Sequence, residues 1–249
     1  MIDIKEYQAK KDLLKNKIIA VTGAGAGIGR TIAKAYAEYG ATVILLGRTD
    51  SKLESIYDEI EQAGYPQAAI IPVDLETADE NQYQEIADAI NENFGRLDGL
   101  LHNAALLGER SSIASTSVAS WQRLMQVNIT APFLLTKKCL PLLQKSDNAS
   151  IVFTGSSVGL KGRAYWGAYA VSKAANENLM QVLADELENT SKIRVNSINP
   201  GATRTQMRAN AYPAENPANV KAPSDLLPLY LYLMGKDSLE VNGSALSYQ

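Results

Sequence analysis

Along the chain, short apolar runs alternate with longer stretches in which apolar residues recur every three or four positions. The short runs fall at 17–22, 41–46, 68–73, 99–102, 150–154, 193–198 and 244–247, and each predicts a β-strand. Helical spacing covers 28–39, 51–63, 79–94, 118–143 and 168–188. Runs such as Ile18-Ile19-Ala20-Val21 and Ile151-Val152-Phe153 contain no polar position, so both of their faces must be buried, as in a parallel sheet. Right-handed crossovers between such strands give an α/β fold of Rossmann type. It is a single domain over 1–249, with a doubly wound, seven-stranded parallel sheet and helices on both faces. Residues 1–16 precede the first strand as a short extension. One segment, 207–223, breaks the rhythm. It is rich in Ala, Asn and Pro and follows the sixth strand, at the sheet edge where α/β folds hold ligands. It is a candidate substrate lid.

Charge and composition narrow the partners. The 24 Lys+Arg and 27 Asp+Glu are scattered, giving a net charge of −3 with no basic stripe, so nucleic acid is not an expected partner. Cys139 is the single cysteine, so no intrachain disulfide can form. The N-terminus is too charged for a signal-peptide core, and the apolar stretch 133–143 is broken by Lys137, Lys138 and Pro141. A cytoplasmic protein with no membrane partner is expected. The lone histidine, His102, has no second His or Cys to complete a metal site, and no metal is expected.

The first strand runs directly into Gly23-Ala-Gly25-Ala-Gly27-Ile28-Gly29 and then into a helix. A strand, a glycine-rich turn and a helix N-terminus aim backbone N–H groups and the positive helix end at a pyrophosphate. The spacing is T-G-x-x-x-G-x-G from Thr22 to Gly29, not the ordinary G-x-G-x-x-G. The end of the second strand selects the nucleotide. Asp50, about twenty residues beyond the glycines, argues for NAD(H), but it also stands where an N-cap of the next helix would. The strand tip has Gly47, which brings no carboxylate against a phosphate, followed by Arg48, which can grip one. NADP(H) is therefore preferred over NAD(H), with Arg30 beside the turn as a second candidate cation.

Tyr169-Ala-Val-Ser-Lys173 opens a helix and sets its two ends on one face. A tyrosine with a solution pKa of about 10 is a poor base at neutral pH, and an ammonium one turn away favours its phenolate. Gly155-Ser-Ser157-Val-Gly159 also fits the nucleophile elbow of hydrolases. That fold needs a histidine after the serine, and His102 precedes it.

Thr22–Gly29, His102-Asn103-Ala104-Ala105, Asn128, Ser156, Tyr169 with Lys173, and Asn199-Pro200-Gly201-Ala-Thr203-Arg-Thr205 stand in the order and spacing of one family. The chain resembles the short-chain dehydrogenases/reductases over nearly its whole length. Asp12-Leu-Leu, the 162–169 segment and Leu229-Tyr-Leu-Tyr-Leu-Met234 resemble a bacterial subgroup of it. The resemblance implies an oxidoreductase that moves a hydride between the nicotinamide and an alcohol or carbonyl substrate. It makes Tyr169 the general acid/base, with Lys173 on the nicotinamide ribose and Ser156 on the substrate oxygen. Asn128 would support a proton path through Lys173. Asp74 with Leu75, and Asn103 with Ala104, would hold the adenine and its ribose. Pro200, Gly201, Thr203 and Thr205 would hold the carboxamide. Trp166 and Met207, with Tyr212, would wall the substrate pocket.

Two features depart from the family. His102 and Ala105 replace an asparagine and a glycine of the usual Asn-Asn-Ala-Gly, and His102 is expected to take over the asparagine's hydrogen bonds. After Val241-Asn-Gly243 the chain stops at Gln249, so a tail that borders the pocket in the family is expected to be short or missing. A 3-oxoacyl thioester reductase, with Lys161, Arg163, Arg204 and Arg208 as a basic entrance, and a non-catalytic nucleotide sensor are the alternatives. The family also implies a homodimer or homotetramer through the long helices.

Overall fold

The computed structural model describes residues 6–248. Residues 1–5 of the expected extension and Gln249 lie outside them. Strands β1 (Ile18–Thr22), β2 (Thr42–Gly47), β3 (Ala69–Pro72), β4 (Gly99–His102), β5 (Ser150–Thr154), β6 (Arg194–Asn199) and β7 (Ala245–Ser247) form one sheet. All pairings are parallel, in the order β3-β2-β1-β4-β5-β6-β7. The boundaries fall within one residue of those read from the apolar runs, because a strand buried on both faces is marked at every position. All five residues of β5 are buried.

Helices α1 (Gly27–Glu38) and α2 (Asp50–Gln62) cover one face together with α9 (Leu227–Met234). On the other face lie α3 (Glu80–Phe94), α5 (Ala131–Leu143) and α7 (Gly167–Glu188), and the short α6 (Ser157–Leu160) follows β5. Alternate strand residues feed the two cores. Ile19, Val21, Val43 and Leu45 face the first, while Ala20, Ile44, Leu46 and Leu100 face the second. Leu13 and Leu14 of the extension are buried in the first core, and Leu14 donates its N–H to the Tyr39 carbonyl. Among the described residues no helix is long and apolar enough to cross a membrane.

The structure corrects four local expectations. The predicted helix 118–143 is broken into α4 (Val118–Met125), a π-turn at Gln126–Thr130, and α5. Pro132 in the first turn of α5 explains the break. Its ring would clash with the carbonyl four residues back, that of Asn128, and the ladder widens so that Ala131 N–H reaches the Gln126 carbonyl. Asp79 caps α3 rather than beginning it, in a reciprocal box with Gln82. Asp50 is the first helical residue of α2, where its charge suits the helix end, and Thr49 holds the cap position. The segment 207–223 is not wholly irregular. Thr205 caps α8 (Gln206–Ala211) through a bond from Arg208 N–H, and a 3-10 turn follows at Pro217–Asn219.

Candidate active site

The chain runs outward from β1 through β2 to β3, then returns to build β4 to β7 on the other side of β1. Ligands bind at such a reversal, beyond the carboxyl ends of the strands. Here the tips of β1, β4, β5 and β6 open onto a cavity of about 520 Å³, within the usual range for small-molecule sites. Every cofactor, catalytic and pocket residue nominated from the sequence lines it except Gly29, Arg30 and Asn128, and of the nominated basic entrance Arg163 and Arg208 line it while Lys161 and Arg204 do not.

At one end the wall is mostly backbone. Thr22 Oγ1 accepts the N–H groups of Asn103 and Ala104 at 3.0 and 3.1 Å, stapling the tips of β1 and β4. Gly23 adopts φ 68°, and a Cβ at Gly29 would stand 2.3 Å from the Gly23 carbonyl oxygen, so the turn closes only with glycine there. Gly29 thus shapes the turn from behind. Ala26 precedes α1 without a side-chain cap, which leaves the first-turn N–H groups for a ligand. Beyond the tip of β2, the Arg48 side chain is 61% exposed and only loosely paired, 3.9 Å from Asp74 and 4.0 Å from Glu76. Arg30 lies elsewhere. Its guanidinium binds Glu59 at 2.6 Å and Ser55 at 3.2 Å, so it is not the second cation the sequence suggested. Lys52, which sequence reasoning missed, lines this end. Its position on α2 resembled an ordinary solvated helix face.

At the middle of the cavity, α7 presents Tyr169 and Lys173 one turn apart, opposite Ser156 at the end of β5. Lys173 Nζ donates to the Thr154 carbonyl at 2.7 Å and stands 5.8 Å from the Tyr169 ring centre. Burial pushes the Tyr169 phenol up to about 12, against the opposing hydrogen bond with Ser156. Burial likewise draws Lys173 down to about 8, against the pull of Glu177. The phenol therefore shifts in the direction opposite to that expected from its lysine neighbour alone. Asn128, set on the π-turn, is buried outside the cavity. Its Nδ2 donates to the Leu106 carbonyl and to Ser172 Oγ, both at 2.9 Å, and its Oδ1 accepts Leu106 N–H at 2.8 Å. It ties the loop after β4 to α7.

The other end is made of side chains from distant segments. Trp166 packs with Val158, Ala170 and Ala211, beside Leu107, Tyr169 and Tyr212. Three guanidiniums surround Tyr212. Arg208 lies 3.8 Å from its ring centre and grips Glu215 through two 2.6 Å bonds; Arg110 lies 5.1 Å from it and 5.0 Å from the Trp166 ring; Arg163 donates to the hydroxyl at 3.3 Å. Arg110 sits in the irregular loop after β4, and no periodic signal could have found it.

The departures resolve simply. His102 is buried, bonds Thr136 Oγ1 at 2.8 Å and stacks on Phe153, and burial draws it down to about 3. It is buried and does not line the cavity. Ala105 lines the cavity, so its added methyl is part of the wall.

Comparison with known proteins fits this geometry. The short chain dehydrogenase family matches residues 17–216. The uncharacterized oxidoreductase YciK of Escherichia coli (strain K12) is 52% identical over 243 residues, covering 98% of this chain and 96% of YciK. A crystal structure of a short chain dehydrogenase from Salmonella enterica serovar Typhi superposes with a TM-score of 0.96 at 53% identity, covering 98% of this chain and all (100%) of that one. An Escherichia coli CFT073 chain, crystallised in complex with NADPH, superposes at 0.94 with 51% identity, covering 97% of this chain and 100% of its own.

Proposed function

The chain belongs to the short-chain dehydrogenase/reductase family, and from that premise we propose that it moves a hydride between NADP(H) and an alcohol–carbonyl pair, with Tyr169 as the proton-transfer group. The observation that carries the reading is the convergence of Ser156, Tyr169 and Lys173 at the middle of a cavity whose one end is a glycine-built anion cradle.

The residues present fit a phosphorylated dinucleotide. The bare turn and the uncapped start of α1 suit the pyrophosphate, Gly47 leaves the β2 tip without a carboxylate, and Arg48 is loosely held and able to turn towards a 2′-phosphate. Asp74 with Leu75, and Asn103 with Ala104, hold the adenosine side. Thr203, whose hydroxyl donates to the Pro200 carbonyl at 3.2 Å, and Thr205 form the wall towards the carboxamide. Bound there, the nicotinamide supplies or takes up the hydride.

In reduction, the Tyr169 hydroxyl gives its proton to the substrate oxygen as the carbonyl carbon gains the hydride. A phenol held protonated by burial suits this direction. Ser156 orients the substrate oxygen, and Lys173, charged, compensates the phenolate left behind. Asn128 acts through Leu106 and Ser172, by fixing α7 against the cavity. Trp166, Met207 and Tyr212 shape the substrate end, and 207–223, carrying α8, is its lid. Exposed Phe133 on α5 and Val171 and Val182 on α7 support assembly into a homodimer or homotetramer across these helices.

NADPH oxidation over a panel of aldehydes, ketones, sugars and 3-oxoacyl thioesters tests this reading. Turnover of at least one class, faster with NADPH than with NADH, is expected. Tight NADPH binding with no turnover over the whole panel overturns it in favour of a nucleotide sensor.

A further inference from the structure

We propose that the substrate carries an oxyanion, a carboxylate or a phosphate, which docks on the guanidiniums around Tyr212; this rests on the carbonyl-reductase reading above. Of the three cations, only Arg208 has a carboxylate, and Glu215 takes it bidentately. Arg110 and Arg163 have no acidic partner among the described residues. In a chain with more acidic than basic residues, this end has two positive charges without an acidic partner, Arg163 on the cavity wall and Arg110 outside the lining, against the rings of Trp166 and Tyr212. The aromatic faces of Trp166 and Tyr212 orient Arg110, one of its N–H groups goes to the Ala211 carbonyl, and its charge adds to the positive field of this end from outside the lining. Arg163 lines the cavity and spends a single bond on Tyr212. The remaining wall here, Leu107, Val158, Met207 and Ala211, is apolar. The shape selects an apolar body with an anionic end and its carbonyl at Tyr169.

Matched pairs test it: 4-carboxybenzaldehyde against its methyl ester, and 4-formylphenyl phosphate against 4-hydroxybenzaldehyde, each with NADPH. Contacts of this kind at a solvent-open rim support about a tenfold advantage in kcat/KM for the anionic member, expressed in KM. Arg163→Ala should cut the ratio severalfold, and the pair with the larger ratio identifies the oxyanion. Equal or better use of both neutral members overturns the proposal while leaving the reductase reading intact. A readout without turnover separates the two. Benzoate should quench the tryptophan fluorescence of the NADP-saturated protein at lower concentration than benzamide, and equal quenching overturns anion docking whatever the kinetics.

A different observation carries a second inference: the structure assigns Glu177 as the positioning residue for Lys173. Tyr169, Lys173 and Glu177 follow one another at four-residue steps along α7, and Glu177 is buried. A buried carboxylate needs partners, and its surroundings are built for it. Ser197 of β6 donates to Oε2 at 2.6 Å, and a Cβ at Gly155 would stand 2.2 Å from Oε1, so a side chain there would displace the carboxylate. Lys173 is held from β5 by the Thr154 carbonyl, while Tyr169 lies on its own helix and His102 faces it from β4 as a neutral ring. Glu177 favours the buried ammonium through its charge one turn away rather than through a direct ion pair, while burial raises its own pKa against the Ser197 hydrogen bond and the Lys173 charge.

Glu177→Gln keeps the acceptor for Ser197 and deletes the charge. Lys173 already lies low, at about 8, and Glu177 raises it, so the variant lowers it further. Activity that needs the ammonium is then lost at lower pH. The alkaline limb of kcat for carbonyl reduction should move down by about one unit or more, with substrate KM little changed and Glu177→Asp restoring part of the shift. Ser197→Ala should move the limb the same way by less, and serves if the glutamine variant fails to fold. Wild-type profiles in both variants overturn the assignment. So does loss of activity at every pH with unaltered NADPH affinity, which would place the carboxylate in the chemistry itself. The pH dependence of NADPH affinity should carry the same displacement, and it needs no turnover.

Discussion

The two ends of the cavity are built on different principles. The nucleotide end is backbone: a tight turn between β1 and α1, hydrogen-bonded across to β4 through Thr22, with each contact local to an element of the sheet. The substrate end is side chains borrowed from the loop after β4, the start of α7 and the α8 segment, stacked on one another rather than on the sheet. Even its polar accounts differ. Trp166 Nε1 is buried there with no partner, whereas the open groups at the nucleotide end are the first-turn backbone N–H groups of α1. One end is fixed by geometry that few sequences can satisfy. The other can change its chemistry by replacing a handful of side chains, which is how one fold serves many substrates.

The largest effect should come from cutting the seam between the two ends. Tyr169→Phe removes the hydroxyl proposed as proton donor and leaves the glycine turn and Lys173 in place. Turnover should fall by about 10²–10⁴-fold, the usual contribution of a general acid, with NADPH affinity close to wild type by fluorescence titration. Wild-type kcat in the phenylalanine variant would remove Tyr169 from the chemistry. A large loss of NADPH affinity would instead show that the two ends are not separable.

Arg48→Ala probes the nucleotide end alone. A charge-assisted bond to phosphate is worth about 1.5–3 kcal/mol, reduced at an exposed site, so KM for NADPH should rise about tenfold while KM for NADH barely moves. Equal weakening of both nucleotides would mean that Lys52 or the first turn of α2 reads the ribose. The loose contacts of Arg48 with Asp74 and Glu76 cost little to give up, consistent with a side chain free to serve a ligand.

The same contrast governs what was legible in the sequence. The glycine turn, the strand tips and Tyr169 with Lys173 are contiguous or periodic, and the positions read from them meet in space. What went unread was irregular or non-local. The helix of Leu227–Met234 is apolar on every face, so it offered no period to detect. Pro132 stood in plain view, yet the flanking periodicity read through it and hid the π-turn. Glu177 was readable by spacing, four residues past Lys173, but its burial depends on β6 and Gly155, which only the fold brings near. Arg110 is placed by tertiary stacking alone.

The smallest effect should be the most telling about the substrate end. Segment 207–223 is tied to the rest of the chain at scattered points, among them the pairing of Thr203 with Lys221, Arg204 N–H to the Lys221 carbonyl, Lys221 Nζ to the Tyr248 carbonyl, Arg110 to Ala211 and Arg163 to Tyr212. Its own contacts, Thr205 to Arg208 and Arg208 to Glu215, keep α8 and its turn together but do not fasten them to the sheet. A segment so attached belongs to the low-stability end of a protein's opening spectrum, and a lid must be drawn from that end. Ligands that touch Met207, Arg208 and Tyr212 add contacts only in the closed state, so they should lower the open population by mass action. Limited proteolysis should therefore cut within 207–223 in the free protein, more slowly by a few-fold with NADPH and a carbonyl substrate analogue together, and less so with NADPH alone. Cutting that is equally fast in all three states would mean that the segment is a fixed wall. The difference between the two ends would then lie in chemistry and not in motion.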